Sequence, residues 1–241
     1  MTETDAPQFG AVVPDWTPPP APVRQTMSGR WSHLEPLDPD VHGPELFESY
    51  HDADAVWDYL PYGPFADYDG YHSWIRATVS TPGHLFFAIR NFATNRWEGV
   101  ASYLRIDPAN GSIEVGNINY SPALQKTPAA TEAMYLMMRW AFENGYRRYE
   151  WKCNALNIPS RRAAERLGFS FEGVFRQATV VKGRNRDTSW FAIIDAEWPA
   201  LDLAYRAWLS PENFDENGHQ VTSLATLTAP VRVASDPILR G

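Results

Sequence analysis

The sequence predicts one mixed α/β (α+β) domain, in which helices flank a central sheet that is mostly antiparallel. Three observations support this fold class. The chain has 241 residues, of which 44% are hydrophobic and 14% aromatic, enough for one sizeable core. Three consecutive segments with strand-like patterns predict a meander, and a hairpin is predicted further on. Between them, a long segment shows the apolar spacing of a helix.

The first 26 residues differ from the rest of the chain in their proline content. Residues 1–26 contain six of the 20 prolines, which excludes a helix or a central strand there. We therefore expect an extended arm, and Trp16 favours an arm that packs on the core. The domain itself is predicted for residues 27–209. Residues 210–241, where the patterning is weak, are predicted to form a C-terminal tail.

Apolar patterns define the elements of the domain. Strands are predicted at 30–37, 85–90, 99–106, 111–120, 148–154, 169–181 and 186–194. Helices are predicted at 44–51, 68–80, 128–144, 159–167 and 197–209. The helix that starts at Pro128 is the best defined, because its apolar residues follow a core-facing stripe and Gly145 provides a left-handed cap. The last two strands form a hairpin whose turn contains Gly183 and Asn185, which tolerate positive φ.

The composition argues against several classes of function. A formal net charge of −8 disfavours a nucleic-acid binder and favours a small or neutral-to-cationic partner. The single cysteine, Cys153, excludes an intrachain disulfide. The first residues lack the apolar run of a signal peptide and no segment is apolar enough to span a membrane, so we expect a cytoplasmic protein. The six histidines show no metal-ligand spacing, and we expect no metal.

The predicted helix 128–144 carries no acidic residue before Glu132, although natural helices usually place a carboxylate in the first turn. Thr127 is suited to cap this helix, and Pro128 is suited to its first position. An anion such as phosphate would bind the outward-pointing amides of the next three residues and a neighbouring lysine: Ala129, Ala130, Thr131 and Lys126. The alternative is a surface helix whose first turn is solvated.

Residues 156–176 (LNIPSRRAAERLGFSFEGVFR), with TEA at 131–133 and GRNRDT at 183–188, resemble the acetyl-CoA-binding core of the GNAT acetyltransferases. The resemblance is greatest to the ribosomal-protein N-terminal acetyltransferase-like (RimJ/RimL-type) branch. It covers about residues 28–200 and implies the GNAT fold, with acetyl-CoA as the cofactor. In that family a loop of pattern Gln/Arg-x-x-Gly-x-Gly/Ala precedes a long helix and binds the pyrophosphate of coenzyme A.

Gln125, Pro128 and Ala130 stand at the defined positions of that loop. Pro128 replaces a glycine, so one amide donor is lost while the start of the helix is pre-formed. The cofactor-binding residues implied by the resemblance and by the helix start are Asn119, Gln125, Lys126, Thr127, Ala129, Ala130, Thr131, Asn157, Ser160 and Arg161.

Two alternatives remain open for residues of the predicted helix 159–167. Asn157 is suited to bind the pantetheine arm, and it is equally suited to cap this helix. Arg161, Arg162 and Arg166 are suited to bind a coenzyme A phosphate, and a solvated helix face explains them about as well.

The resemblance also implies catalytic roles. In the family an amine attacks the thioester directly, a backbone N–H near the end of the third strand stabilises the oxyanion, and the thiolate leaves with a proton. That strand end lies near Asn119 in this chain. Many members use a tyrosine as general acid where this chain has Ala164. The RimJ/RimL-type branch lacks this tyrosine, and a serine at the position of Ser160 has the acid role. The glutamate that serves as base in that branch would fall at Thr179.

A strong base is therefore not evident, and this affects the choice of acceptor. Glu114, on the third strand of the meander, is the best candidate to relay the proton through water, with a structural role as the alternative. An α-amine titrates at about 7.8 and a lysine at about 10.4, a difference that costs a lysine acceptor roughly 4 kcal/mol at neutral pH. Amines of the α type are therefore the easier acceptors.

The acceptor is expected opposite the cofactor, beside a loop rich in aromatic residues. Residues 57–65 (WDYLPYGPF) contain four predicted acceptor-binding residues: Trp57, Tyr59, Tyr62 and Phe65. The alternative is that these rings fill the core beneath a long loop. Cys153 lies on a predicted interior strand, where a buried thiol is expected rather than a nucleophile.

These features together predict an acetyl-CoA-dependent N-acetyltransferase that acts on a protein N-terminal α-amine or on a small primary amine. Two other hypotheses stay open. One is a GNAT-shaped acyl-CoA-binding protein without turnover, since the tyrosine and the glutamate are missing. The other is an interaction module that uses the proline-rich arm. We expect a monomer or a homodimer, with no nucleic-acid or membrane partner.

Overall fold

The computed structural model describes residues 9–240, in which eight strands form one sheet. The strands are β1 (Met27–Ser28), β2 (Ser32–Pro36), β3 (Leu85–Asn91), β4 (Arg96–Asp107), β5 (Ser112–Tyr120), β6 (Arg148–Asn154), β7 (Ser170–Val181) and β8 (Arg184–Ile194). Their order is β1-β2-β3-β4-β5-β6-β8-β7. All neighbours are antiparallel except β5 and β6, which are parallel. The predicted mixed, mostly antiparallel sheet is therefore confirmed.

Six helices cover the two faces of this sheet. They are α1 (Pro39–Ser49), α2 (Tyr68–Val79), α3 (Pro128–Glu143), α4 (Ile158–Arg166), α5 (Trp198–Leu209) and α6 (Leu224–Thr228), with short 3-10 helices at Asp54–Trp57, Pro211–Asn213 and Pro237–Arg240. Within residues 9–240, no helix combines the length and the apolar character needed to cross a bilayer.

Two hydrophobic cores result from the alternation of side chains along the strands. On β3, Phe86 and Ala88 pack with α1 and α2, whereas Phe87 and Ile89 point to the other face. That second face is covered by α3, α4 and α5, and Met137 of α3 lies at the centre of the larger core. Helices thus lie on both sides of one sheet in a single domain.

The predicted elements agree with the observed ones in most places, and three differences have physical reasons. Helix α1 begins at Pro39, five residues before the predicted start, because the Asp38 carboxylate accepts hydrogen bonds from the first free amides. The short strand β1 was not predicted. In the β7–β8 turn the positive φ values belong to Lys182 and Gly183, rather than to Gly183 and Asn185, as a two-residue hairpin turn requires.

The parallel strands β5 and β6 pair over only part of their length. Pairing runs from Ser112 with Arg148 to Val115 with Trp151 and stops there, although both strands continue. Asn117 lies just beyond this point with a φ of +50°, where the β4–β5 register shifts. A bulge of this kind bends its strand and increases the local twist. Strand β5 therefore diverges from β6 and leaves an opening between them.

Glu132, the first acidic residue of α3, does not compensate the helix dipole at the first turn. Its buried carboxylate accepts hydrogen bonds from the backbone amides of Arg30, Trp31 and Ser32, at 2.7–2.8 Å. A side chain at Gly29 would collide with this carboxylate, since a Cβ there would lie 2.1 Å from Glu132 Cδ. Glu132 thus attaches α3 to the β1–β2 turn, and the start of the helix has no carboxylate of its own.

The N-terminal arm is extended and contacts the domain, as Trp16 indicated. Within residues 9–26 the chain has no helix or strand. Trp16 Nε1 donates a hydrogen bond to the carbonyl of Ala109, and the carbonyl of Pro20 accepts one from Tyr146. The first eight residues of the predicted arm, including Pro7, lie outside the described residues.

The segment that follows α5 also contacts the domain. Leu224 of α6 is buried in the larger core, and Asn213 bonds the carbonyls of Trp208 and Thr222. The Asp236 carboxylate is fully buried against α4. Weak patterning therefore did not reveal how closely this segment packs, while the proposed boundary at residue 210 stays a prediction.

Candidate active site

A cleft with a volume of about 1630 Å³ lies where β5 and β6 separate. Nine of the predicted site residues line it: Tyr59, Glu114, Asn119, Gln125, Lys126, Ala130, Thr131, Asn157 and Ser160. Six do not: Trp57, Tyr62, Phe65, Thr127, Ala129 and Arg161. The structure thus brings nine of the predicted site residues together in one cleft and places the other six outside its lining.

Side chains from both faces of the sheet reach the cleft. We call one part the α3 side, which contains Thr131, Asn157, Ser160 and Arg166. We call the other part the β8 side, which contains Glu114, Lys152, Arg186 and Trp190. The two parts are separated by the sheet, because Trp151 and Cys153 belong to the core beneath α3 and Lys152 alternates with them.

The first turn of α3 uses more of its amides internally than the sequence predicts. Thr127 Oγ1 accepts a hydrogen bond of 3.1 Å from the Ala130 amide, and the Thr131 amide donates to the Thr127 carbonyl. Only the Ala129 amide, of the three expected donors, has no partner within residues 9–240, and Ala129 does not line the cleft. Thr127 therefore caps the helix as predicted, and this cap removes a donor from the expected anion site.

A half-buried cation lies at the same helix start. Arg166 of α4 donates a hydrogen bond of 2.9 Å to Thr131 Oγ1 and makes no ion pair with a carboxylate in the described part of the chain. Burial lowers the pKa of the Arg166 guanidinium. Tyr120 Oη, which is buried beside the cleft, has no hydrogen-bond partner among residues 9–240. Arg166 thus provides more of the positive charge that would bind an anion here than the backbone amides do.

The loop before α3 contributes two further polar groups. Lys126 is exposed at the rim of the cleft and has a left-handed backbone, with a φ of +62°. Gln125 Nε2 donates a hydrogen bond of 2.9 Å to the Tyr120 carbonyl. The Gln125 side chain therefore links the loop to the end of β5.

Arg161 was expected in the cofactor site, and the structure corrects this assignment. Its guanidinium is buried and forms an ion pair with Asp236 at 2.5 Å, and Nη1 also donates to the Ala155 carbonyl. A guanidinium held by three acceptors in the interior is not free to bind a phosphate. On the same helix, Arg162 and Arg166 line the cleft instead.

Asn119 presents an unpaired amide to the cleft. Both Oδ1 and Nδ2 are buried and have no hydrogen-bond partner among the described residues, and the residue is only 3% exposed. Its backbone carbonyl accepts a hydrogen bond of 3.0 Å from Tyr50. An unpaired amide is costly inside a protein, and it can pair with both a donor and an acceptor of a ligand.

Asn157 and Ser160 lie together at the start of α4. Asn157 Oδ1 accepts a hydrogen bond of 3.1 Å from the Ser160 amide, so Asn157 caps the helix, as one of its two readings predicted. Ser160 Oγ accepts a hydrogen bond of 3.1 Å from Trp151 Nε1, which leaves its own hydroxyl proton free to donate. Burial raises the pKa of the nearby Cys153 thiol, which suits a core residue rather than a nucleophile.

Glu114 is buried and fully engaged by cations on the β8 side. Its oxygens accept hydrogen bonds of 2.7 and 2.8 Å from Arg105 Nη1, and Lys152 Nζ lies 2.8 Å from Oε2. Lys152 has a second partner in Glu150 at 2.7 Å. A substrate amine would have to displace one of these contacts to reach the Glu114 carboxylate directly.

The aromatic segment 57–65 divides between core and cleft. Trp57, Tyr62 and Phe65 pack in the core beneath α1 and α2, and Trp57 is 3% exposed. Tyr59 lines the cleft, and its hydroxyl donates to the Leu156 carbonyl at 3.2 Å. Three of the four predicted acceptor-binding residues thus fill the core, which was the alternative reading.

The β7–β8 hairpin contacts part of the same segment. Lys182 Nζ, at the tip of the hairpin, donates a hydrogen bond of 3.0 Å to the Trp57 carbonyl. The rings of Phe175 of β7 and Trp190 of β8, which line the cleft, are in contact at an interplanar angle of 31°, with centroids 4.4 Å apart. These residues were not predicted for the site, although Arg186, Thr188 and Trp190 lie on one face of a predicted strand.

Comparisons with known proteins agree with the fold. The family model described as the acetyltransferase (GNAT) domain matches residues 33–170, more than half of the chain. The crystal structure of a GCN5-related N-acetyltransferase from Brucella melitensis is 48% identical, over 90% of this chain and 100% of that one, with a TM-score of 0.88. A search of curated proteins found no significant match.

Two further structures show how far the likeness extends. A probable GNAT acetyltransferase from Chromobacterium violaceum is 40% identical over 81% of this chain and 98% of that one, with a TM-score of 0.75. RimL, a ribosomal L7/L12 alpha-N-protein acetyltransferase, covers 70% of this chain and 94% of its own at 21% identity and a TM-score of 0.61, a likeness of fold alone. The chain therefore belongs to the GNAT family of acetyltransferases, which are acyltransferases that use acetyl-CoA.

Proposed function

We propose that this protein is an active N-acetyltransferase that transfers acetyl directly from acetyl-CoA to a primary amine in a ternary complex. The acceptor is a protein N-terminal α-amine or a small-molecule amine. One observation supports the proposal most strongly. The separated strands β5 and β6 enclose the unpaired Asn119 amide, while the uncompensated Arg166 cation lies at the start of α3 in the same cleft.

The residues of the α3 side fit acetyl-CoA. When bound, acetyl-CoA supplies an activated acetyl group as a thioester, with a thiolate as leaving group. The amide of Asn119 provides a donor and an acceptor for the amide-bearing pantetheine arm, and Asn157 adds a second side-chain amide. Arg166, Lys126 and the Tyr120 hydroxyl would hold the phosphates, since a guanidinium and a nearby ammonium both favour phosphate oxygens.

Ser160 is the proposed proton donor. Trp151 Nε1 donates to Ser160 Oγ and fixes the hydroxyl, whose own proton then points to a different acceptor. Ser160 lines the cleft at the start of α4, so the hydroxyl can give a proton to the leaving group. Backbone amides near Asn119 remain the proposed oxyanion donors.

The choice of acceptor follows from the contacts of Glu114, the predicted proton relay in the cleft. Both oxygens of Glu114 are engaged by Arg105 and Lys152, so we assign Glu114 a proton relay through water rather than direct contact with the amine. An amine that is partly neutral at neutral pH needs the least help, and α-amines fulfil this condition better than lysine. Tyr59 is the aromatic residue proposed to border the acceptor.

Several finer assignments stay predictions. Membership of the RimJ/RimL-type branch rests on the motifs of residues 156–176, beside a structural likeness to RimL at 21% identity. A cytoplasmic location and a monomeric or homodimeric state are likewise expected.

The test is amine-dependent release of free thiol. Purified protein is incubated with acetyl-CoA and with peptides or small molecules that carry a free α-amine, and each is matched to its N-blocked counterpart. Thiol release with the free amine alone supports the proposed transfer. Tight binding of acetyl-CoA without thiol release from any amine would favour the second candidate, a GNAT-shaped acyl-CoA-binding protein. Failure to bind acetyl-CoA would contradict both.

A further inference from the structure

The β8 side of the cleft contains hydrogen-bond donors without acceptors. Arg186 Nε and Trp190 Nε1 are both buried, and neither has a partner within residues 9–240. Both side chains line the cleft. Arginine and tryptophan side chains have only donors, so the groups that would satisfy them must be acceptor atoms. A buried donor without an acceptor is costly, and a ligand oxygen would remove that cost.

Positive charges outnumber negative ones on this side, where Arg105, Lys152 and Arg186 lie near the carboxylates of Glu114 and Glu150. Arg105 and Lys152 both bind the Glu114 carboxylate, and Lys152 also forms an ion pair with Glu150. Arg186 forms no ion pair or side-chain hydrogen bond in the described part of the chain. Burial lowers the pKa of the Arg186 guanidinium and Arg105 acts in the same direction, whereas Cys153 and Glu114 act against it. Although the whole chain has a net charge of −8, the β8 side of the cleft has an excess of positive charge.

The β8 side of the cleft is distinct from the proposed cofactor site. Arg186 and Trp190 alternate on β8 and so point to the same face of the sheet. Lys152 Nζ lies 3.7 Å from the centre of the Trp190 ring, which fixes that face as the one carrying Glu114. The Arg166 cation lies on the other side, at the start of α3. The excess positive charge near Arg186 is therefore available to the acceptor rather than to the phosphates of the cofactor.

We propose that the amine acceptor carries an anionic oxygen group, a carboxylate or a phosphate, which Arg186 and Trp190 Nε1 bind on the β8 side. This inference rests on the proposed function and specifies the chemical class of its acceptor. The anionic group occupies the donors that are unpaired in the free protein. It also orients the acceptor, so that the amine points toward the opening between β5 and β6.

The test compares acceptors that differ only in the acidic group. The panel consists of the common L-amino acids with the corresponding amino acid amides, and of phosphoethanolamine with ethanolamine. Thiol release measures turnover, and the rise in Tm in the presence of coenzyme A measures binding independently. The acids and the phosphate are expected to bind and react, and their neutral counterparts to do so at least tenfold less well.

Variants of β8 separate a specific contact from a general charge effect. Arg186→Gln is expected to raise KM for an acidic acceptor roughly tenfold to a hundredfold, the range for a lost hydrogen bond to a charged group. The same variant should leave kcat and the affinity for acetyl-CoA near wild type, and Arg186→Lys should restore part of the loss. Arg184→Gln is the control, because Arg184 is exposed on the same strand outside the cleft.

Three results would overturn the inference. Equal use of the neutral amines would show that no anionic group is recognised. An unchanged KM for Arg186→Gln would remove Arg186 from acceptor binding. Failure of every acidic amine to bind would exclude this acceptor class. In each case, acetyl-CoA binding with thiol release from another amine would leave the proposed acetyltransferase function intact.

Discussion

The Arg166 guanidinium donates a hydrogen bond of 2.9 Å to Thr131 Oγ1, and this contact joins α4 to the first turn of α3. The pair brings a cation without a carboxylate partner to a helix start without an acidic residue. Positive charge and the positive end of a helix dipole thus coincide in one place. We propose that the phosphates of coenzyme A compensate both.

Loss of the Arg166 cation should weaken binding of coenzyme A. We expect Arg166→Gln to lower the affinity for acetyl-CoA by about 1.5–3 kcal/mol, or roughly tenfold to a hundredfold, with little effect on acetyl-pantetheine. Calorimetry measures both constants. Arg139→Gln is the matched control, because Arg139 lies exposed on α3, where it forms an ion pair with Glu143. Equal losses for both cofactor forms would show that Arg166 acts on the fold instead.

The proposed proton relay through Glu114 has a matched control in Glu150, since both carboxylates bind Lys152 but only Glu114 lines the cleft. We expect Glu114→Gln to lower kcat by about a hundredfold and to shift the pH–rate profile upward, because a neutral amine must then form without help. Glu150→Gln should retain the wild-type profile. A wild-type profile in Glu114→Gln would remove Glu114 from the mechanism.

The buried Arg161–Asp236 pair should be important for stability. Asp236→Asn leaves the Arg161 guanidinium, which is 4% exposed, without its counter-charge. Removal of one partner of such a pair costs about 3–5 kcal/mol, to be measured by urea unfolding. Asp215→Asn, in an exposed turn of the same C-terminal segment, should change stability little. Similar stability of the two variants would contradict the role assigned to the ion pair.

His42 predicts a pH dependence of stability below neutral pH. Burial lowers the pKa of His42, and its Nδ1 accepts a hydrogen bond of 2.9 Å from the Asp38 amide, so the folded state favours the neutral ring. The unfolded chain therefore binds more protons as the pH falls below about 6.5, and the stability contributed by neutral His42 is lost in that range.

Urea unfolding at several pH values tests this sign. The free energy of unfolding should fall more steeply below pH 6.5 in the wild type than in His42→Gln. His219→Gln serves as the control, because His219 is exposed and its removal should keep the wild-type slope. A steeper fall in His42→Gln than in the wild type would reverse the assigned direction.

Local patterns were sufficient to predict most of the fold. Strand β6 was predicted with its observed bounds, 148–154, because alternation along the chain reports burial of one face. Helix α3 starts at Pro128 as predicted, since Thr127 and Pro128 are themselves the start signals. The start of α1 was missed because a proline, Pro44, lies inside the helix and was taken as its beginning.

The choice among neighbouring site residues depends on contacts that local patterns do not contain. Arg161 and Arg166 lie on one short helix, and Asp236, 75 positions away from Arg161, binds one of them. Ala130 has a free amide only if Thr127 does not cap it, and the structure has this cap. A sequence pattern indicates which residues begin a helix, whereas the use of each donor is decided by tertiary packing.

The aromatic segment shows the same limit. Trp57 and Phe65 pack against each other and against Trp74, whereas Tyr59 turns toward the cleft. Their spacing in the sequence does not distinguish these environments, because the segment lies mostly in loops without a fixed period. The excess of positive charge on the β8 side was not predicted, because it arises only when β5, β6 and β8 are adjacent.

The most direct test of the central claim is a calorimetric titration of the wild-type protein with acetyl-CoA and with acetyl-pantetheine. We expect micromolar binding of acetyl-CoA and much weaker binding of acetyl-pantetheine, because Arg166 and the start of α3 act on the phosphates alone. Equal affinity for the two would contradict the proposed anion site at Arg166 and Thr131. No binding of either would contradict the acetyltransferase function itself.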